Sequence, residues 1–278
     1  MTAIVEAAPA KINLALHVRR RRADGYHEIE TLFAFLTDGD VLTVEQSDRD
    51  RFMVTGPFAG ALAGDGGNLV LAARDAFGAA FGAGAKLSIT LDKRLPVASG
   101  IGGGSADAAA MLRVLARMRG IAPDDPRLIA CAAGLGADVP ACLSGRAALG
   151  RGTGTELEPV ESLAGTPVLL VNPGVAVSTA AVFRAWDGCD RGALDKGDML
   201  GIARTGRNDL EGPARQIAPA IDAVLDALAA QPGVLLSRMS GSGATCFALF
   251  ENVAARGAAA AAIGSAQPDW WLLESALA

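Results

Sequence analysis

A run of glycines placed directly ahead of an apolar helical pattern, Pro96-Val97-Ala98-Ser99-Gly100-Ile101-Gly102-Gly103-Gly104-Ser105-Ala106-Asp107, constrains this chain more than any other feature. Glycine tolerates positive φ and lets the backbone come close to a ligand. The start of a helix presents unpaired N–H groups and the positive end of its dipole to an anion. Met111, Leu112, Leu115 and Met118 recur at helical spacing, which predicts a helix over 106–119 with Ser105 as its N-cap. The run reads as a phosphate cradle, beside the plainer reading of a flexible loop with an ordinary cap. Two familiar phosphate loops do not fit it. No Gly-Lys-Ser/Thr follows the glycines, and Lys93-Arg94-Leu95-Pro96 leads in with a proline unsuited to the central strand of a dinucleotide fold.

With 278 residues, 51% of them hydrophobic and 20% charged, the chain can build two packed domains. Thr153 to Thr166 mixes Gly, Thr, Glu and Pro, and the boundary is placed there, between an N-terminal domain over 1–158 and a C-terminal one over 159–278. A net charge of −5 argues against a general nucleic-acid or membrane surface. The cysteines Cys131, Cys142, Cys189 and Cys246 form no CxxC pair and read as reduced structural thiols. No basic start with a long apolar run opens the chain, which predicts a cytoplasmic protein.

Alternation puts Ile12, Leu14, Leu16 and Val18 on one face of a strand and Lys11, Asn13 and His17 on the other. Strands follow over 26–36, 40–45 and 86–92, with an amphipathic helix over 68–81 between the last two and a second helix over 126–135. In the second half, strands over 168–171, 235–239, 245–250 and 270–273 combine with helices over 179–186, 217–230 and 253–263. Ser240-Gly241-Ser242-Gly243 reads as a hairpin tip.

Three segments in this order, Pro9-Ala10-Lys11-Ile12-Asn13-Leu14, Pro96 to Asp107 and Met239-Ser240-Gly241-Ser242-Gly243-Ala244, resemble the three signature motifs of the GHMP kinases. Arg22-Ala23-Asp24-Gly25-Tyr26-His27-Glu28-Ile29-Glu30-Thr31-Leu32-Phe33 and Leu135-Gly136-Ala137-Asp138-Val139-Pro140 look like the branch of that family in the non-mevalonate isoprenoid pathway, as do Asn172-Pro173-Gly174-Val175 and Asn208-Asp209-Leu210-Glu211. The resemblance implies an α+β, two-domain GHMP kinase fold. Its N-terminal ATP-binding domain would be ribosomal-protein-S5-domain-2-like, its C-terminal substrate domain ferredoxin-like, with a cleft between them. It also implies transfer of the ATP γ-phosphate, with Mg2+, to the 2-hydroxyl of a cytidine-diphosphate methylerythritol. No nucleic acid or membrane partner is implied, and the expected state is a monomer or weak homodimer. The chain departs from the family's Gly-Leu-Gly-Ser-Ser by carrying glycine where many relatives place a magnesium-binding serine, so the metal ligands stay unassigned.

Phosphoryl transfer needs anion donors, a cation and a group that orients or deprotonates the attacking hydroxyl. The N–H groups of Gly102, Gly103, Gly104 and Ser105, with Pro96, Gly100 and Ala106 around them, are the expected donors to the β and γ phosphates. Lys11 is the candidate cation. It lies about 7 Å along one strand face from Asn13, so that one can lower the hydroxyl pKa while the other binds substrate. A lysine on a polar strand face is ordinarily just solvated, and the resemblance is what favours catalysis. Asp138, in the apolar setting of Ala137, Val139 and Pro140, needs a partner for its carboxylate. It matches the family's catalytic aspartate, beside the reading of a turn or cap residue before proline. Asp107 reads as a dipole-compensating carboxylate. Tyr26, His27, Phe33 and Phe183 match positions that build the cytidine pocket, where base stacking contributes about 1–3 kcal/mol per base. Phe183 reads equally as core, and His17 as structural. Asn68 and Lys93 match positions near the adenine and the phosphates, and Thr179 one near the methylerythritol or its diphosphate. Gly241 and Gly243 are either packed beside the phosphate loop or a hairpin tip without ligand contact. Homoserine or mevalonate kinase, a non-catalytic sensor of the same fold and a dinucleotide oxidoreductase are the competing functions.

Overall fold

The computed structural model describes residues 3–62 and 67–278. In chain order the strands are β1 (Ile4–Arg21), β2 (His27–Gln46), β3 (Arg51–Thr55), β4 (Leu87–Asp92), β5 (Ala148–Arg151), β6 (Glu156–Pro159), β7 (Pro167–Asn172), β8 (Val234–Met239), β9 (Cys246–Phe250) and β10 (Trp271–Ala276). The helices are α1 (Leu69–Phe81), α2 (Gly103–Arg119), α3 (Pro126–Leu135), α4 (Val139–Ser144), α5 (Thr179–Ala185), α6 (Met199–Thr205), α7 (Glu211–Ile217), α8 (Ala220–Ala229) and α9 (Val253–Ala266).

Two compact units interleave along the chain. The first takes Met1–Ala10, Asp38–Val97 and Gly102–Gly145, the second Lys11–Thr37, Ala98–Ile101 and Arg146–Ala278. They are not consecutive stretches because β1 and β2 each pass from one into the other. The break expected at 37–39, between strands over 26–36 and 40–45, lies inside the single strand β2. A strand can carry Asp40 at 1% exposure because its carboxylate is fully used: Oδ1 accepts the backbone N–H of Arg94 and Leu95 at 2.6 and 2.8 Å, and Oδ2 takes the Lys93 ammonium.

In the first unit β4 pairs in parallel with β3 and antiparallel with the second half of β2, from Val41 to Gln46. Helix α2 buries Ala106 to Leu112, Val114 and Leu115, an almost unbroken small and apolar surface suited to close helix packing.

In the second unit β7, β8, β9 and β10 form an antiparallel sheet in the order β10-β7-β9-β8. With α8 leading into β8 and α9 leading into β10, this is the split βαβ arrangement of a ferredoxin-like domain. Its core packs Leu169, Val171, Ala248 and Phe250 of the sheet against Ile221, Val224 and Leu228 of α8 and Ala259 and Ile263 of α9. The stretch over 153–166 contains β6, which pairs with β5, and β5 pairs with Thr31–Phe33 of β2. The helix expected over 217–230 is α8, which starts at Ala220 after the N-cap Pro219, while Ile217 ends the preceding α7.

Candidate active site

Burial of both faces of β1 sets the chemistry of the second unit. Lys11 and Asn13 are each 2% exposed, so the face that a half-buried strand would give to solvent is covered here. The Lys11 ammonium donates to Asn13 Oδ1 at 3.0 Å and stands 5.4 Å from the centre of the Phe33 ring, itself buried. Asn13 Nδ2 donates to Thr31 Oγ1, and Thr31 Oγ1 to the Ala15 carbonyl, both at 2.8 Å. That relay fixes the amide with its oxygen towards Lys11.

Ser240 joins β1 to the glycine loop. Its hydroxyl accepts the Asn13 backbone N–H at 3.2 Å and donates to the Gly100 carbonyl at 2.9 Å. The Lys11 N–H donates to the Ile101 carbonyl at 2.9 Å, and the Thr245 N–H to the Ser99 carbonyl at 3.1 Å. Gly100 has φ +80°, and a Cβ there would press on the Ser240 carbonyl and lie 2.9 Å from the Gly243 nitrogen. Gly241 and Gly243 therefore belong to a turn packed on the loop over 98–101. Asn208 holds that turn from behind, donating through Nδ2 to the Met239 and Gly241 carbonyls at 2.8 Å. Thr179 Oγ1 reaches Ser242 Oγ at 2.8 Å.

A separate aromatic group gathers around His27. Its ring centre lies 5.0 Å from that of Phe183 and 5.7 Å from that of Trp186, the latter edge-on. Burial pushes the imidazole below its ordinary pKa, and the Arg21 guanidinium adds to this. Tyr26, next to His27, is 62% exposed and positioned through its N–H, which donates to Asp24 Oδ1 at 3.0 Å. Phe183 is partly buried against the unit's core.

In the first unit α2 starts earlier than expected. Gly102 is the N-cap, in the left-handed region at φ 67° and ψ 17°, and the first helical bond runs from the Ala106 N–H to the Gly102 carbonyl at 2.8 Å. Ser105 is thus inside the first turn and not the cap. The physical gain is a helix end without a capping side chain, which leaves the N–H groups of Gly103, Gly104 and Ser105 with no acceptor inside the helix. Pro96, buried, leads into this region.

Lys93 does not present a free cation. At 2% exposure its ammonium is held by Asp40 and, at 2.8 Å, by Asp107. Burial alone would lower its pKa, but the carboxylates of Asp107 and Asp40 outweigh that and raise it. Asp107 is correspondingly no dipole-compensating surface group. Burial pushes its carboxyl up to about 7 against the pull of Lys93, with Asp40 adding to the rise. Gly103 rides on this triad, since a Cβ there would lie 3.0 Å from Lys93 Nζ. Asn68 caps α1, its side chain accepting the Val70 N–H at 2.9 Å. Asp138 is partly buried at the N-cap position of α4 without making the capping hydrogen bond, so it is not an ordinary cap.

The sequence matches the GHMP kinases N terminal domain over residues 68–146 and the GHMP kinases C terminal domain over 191–269. The chain belongs to the GHMP kinase family. As a GHMP kinase it is a small-molecule kinase with ATP as phosphoryl donor. A 4-diphosphocytidyl-2-C-methyl-D-erythritol kinase of Rhizorhabdus wittichii is 58% identical over 276 residues, covering 98% of this chain and 94% of that protein. One from Novosphingobium aromaticivorans is 54% identical, with 98% and 92% covered. A crystal structure of a 4-(cytidine 5'-diphospho)-2C-methyl-D-erythritol kinase superimposes with TM-score 0.77 at 35% identity, covering 99% of each chain. A homoserine kinase from Cytophaga hutchinsonii shares the two-domain fold, with TM-score 0.76 at 20% identity, 100% of this chain and 95% of that one.

Ser240 and Thr31 were not singled out from sequence, because a lone hydroxyl in a strand or turn carries no pattern. Trp186 shows in the sequence only as the last residue of the helix expected over 179–186. Asp40 reads from sequence only as the first residue of a strand, and its buried partner Lys93 is what reveals its place in this GHMP kinase.

Proposed function

We propose that this kinase transfers the γ-phosphoryl group of ATP to the 2-hydroxyl of 4-diphosphocytidyl-2-C-methyl-D-erythritol, in the non-mevalonate route to isoprenoid precursors. The observation that carries the reading is the buried Lys11–Asn13 pair, tied through the Ser240 hydroxyl to the Gly100 carbonyl of the loop over 98–101. The cytidine acceptor is supported by the relatives at 58% and 54% identity and by the aromatic group around His27.

In this reading the bond from Pγ to the bridging oxygen breaks and a bond from Pγ to the 2-oxygen forms, with Asp138 orienting or taking the hydroxyl proton. Lys11 stabilises the charge that grows on the acceptor oxygen, and Asn13 keeps the ammonium aimed. Gly102 to Ser105 supply N–H donors to the phosphates, with Pro96, Gly100 and Ala106 shaping the loop and Asn68 bordering the adenine. Lys93 acts from beneath as a support. Tyr26, His27, Phe33 and Phe183 receive the cytidine, and Thr179 the diphosphate end. Magnesium enters with the nucleotide as part of the substrate, which suits an ion that is typically held by phosphates and one or two carboxylates. We assign ATP binding and catalysis to 1–158 and the rest of the acceptor site to 159–278, in a cytoplasmic monomer or weak homodimer.

The test is ADP release by the purified protein with ATP and magnesium, run in parallel with the cytidine substrate, homoserine and mevalonate. Turnover confined to the cytidine substrate is expected. ATP binding without turnover of any acceptor would overturn the proposal in favour of a sensor.

A further inference from the structure

Two buried polar atoms in this aromatic group have no hydrogen-bond partner among the described residues: His27 Nε2 and the indole Nε1 of Trp186, a residue only 2% exposed. Buried polar groups are nearly always hydrogen-bonded, and orphans call for an explanation. These two sit on rings that touch edge to face, so a single ligand edge carrying a donor and an acceptor can satisfy both.

What holds the two rings together is Arg21. Its Nη2 donates to the Arg184 carbonyl at 3.0 Å and to the Trp186 carbonyl at 2.6 Å, just past the end of α5. Those carbonyls end a short helix, where an arginine both satisfies the orphan acceptors and complements the negative end of the dipole. Phe183 and Trp186 flank Arg184 in sequence and are the two rings that contact His27. The guanidinium on β1 therefore fixes the backbone that carries the aromatic wall, with both hydrogens of a single nitrogen, Nη2, donated to it.

We infer that Arg21 is a positioning residue for recognition of the cytidine base, setting Phe183 and Trp186 against His27, and that Trp186 Nε1 is a further specificity contact beside His27 Nε2. This rests on the proposed acceptor. Burial, with the Arg21 guanidinium adding to it, favours the neutral form of His27, in which Nε2 accepts or donates a single hydrogen bond according to its tautomer. The other charged groups on the adjoining elements are engaged or outward: Glu28 pairs with Arg20, Asp187 with Arg191, and Arg184 is exposed.

The experiment combines calorimetric binding of cytidine 5'-diphosphate with steady-state kinetics for wild type, Arg21→Met, Arg21→Gln and Trp186→Phe. Arg21→Met is expected to weaken cytidine diphosphate binding and raise KM for the cytidine substrate about tenfold or more, the scale of a lost charge-assisted hydrogen bond, with KM for ATP and kcat nearly unchanged. Arg21→Gln, able to reach one carbonyl, should fall between, and it serves if the methionine variant does not fold. Trp186→Phe keeps an aromatic ring and removes the donor, so a selective loss of cytidine affinity is expected there too. Wild-type affinity in Arg21→Met, or equal losses for ATP and cytidine ligands, would overturn the positioning role. Cytidine diphosphate binding without turnover would sink the proposed reaction alone, whereas no binding by the wild type would sink this inference with it.

Discussion

The Lys11 ammonium lies 3.0 Å from the side-chain oxygen of Asn13, with both residues 2% exposed. A buried cation is costly unless its neighbours are fixed to receive it, and here the Asn13 amide is locked by Thr31. Such preorganisation is what stabilises charge developing in a transition state. Lys11→Met is expected to lower kcat by about 10²–10³-fold, the usual range for losing one such group. Lys11→Arg should not rescue it, because a planar fork does not replace a compact ammonium. Single-turnover phosphoryl transfer with bound ATP is the measurement, and a rate near wild type for Lys11→Met would remove the residue from the chemistry.

Asp138 gives a different split. It stands at the N-cap position of α4 yet makes no capping hydrogen bond to that helix. Asp138→Ala is expected to abolish phosphoryl transfer while the affinity for the cytidine substrate stays within a few-fold. Calorimetric binding of the cytidine substrate alongside kinetics checks both halves. Near wild-type turnover would return Asp138 to a turn role.

The parts of this kinase legible in its sequence are those written as local pattern. The alternation in β1, the apolar spacing of α2 and the β8–β9 hairpin all appear as periodicity in neighbouring residues. What was not legible depends on partners far along the chain. Asp40 and Lys93 are 53 residues apart, and Ser240 meets Asn13 across 227. The Ser105 cap failed for a related reason. Serine is the better N-cap by propensity, but Gly102 can take the left-handed turn that starts the helix sooner.

Lys93 tests whether a buried triad supports the phosphate loop or the cation serves the nucleotide directly. Lys93→Met would leave Asp40 and Asp107, at 1% and 3% exposure, as uncompensated buried carboxylates. Breaking a buried pair in this way typically costs about 3–5 kcal/mol. The loss should be relieved by adding Asp107→Asn, which removes one of the two charges, and a double-mutant cycle in urea would show that coupling. If Lys93 were chiefly a phosphate ligand, the single variant would keep its stability and lose ATP affinity.

His17 fixes how stability depends on acid. Its Nδ1 faces the Gly192 carbonyl at 2.9 Å and must carry the proton, which leaves Nε2 to accept the Arg207 N–H at 3.2 Å. Burial holds the imidazole below its ordinary 6.5, with Arg207 adding to the effect against the Gly192 carbonyl, Asp209 and Glu30. As pH falls below about 6.5 the unfolded chain takes the proton before the folded one does. The contribution is therefore complete above that pH, shrinks as pH falls towards the folded value, and stops changing below it. His17→Gln retains a donor and an acceptor but cannot titrate, so its urea midpoint should fall less than that of wild type between about pH 7 and 5. His27, also held low, supplies a slope that remains in the variant. An unchanged acid slope in His17→Gln would mean that the ring's second nitrogen carries no weight in tying the loop at Gly192 to Arg207.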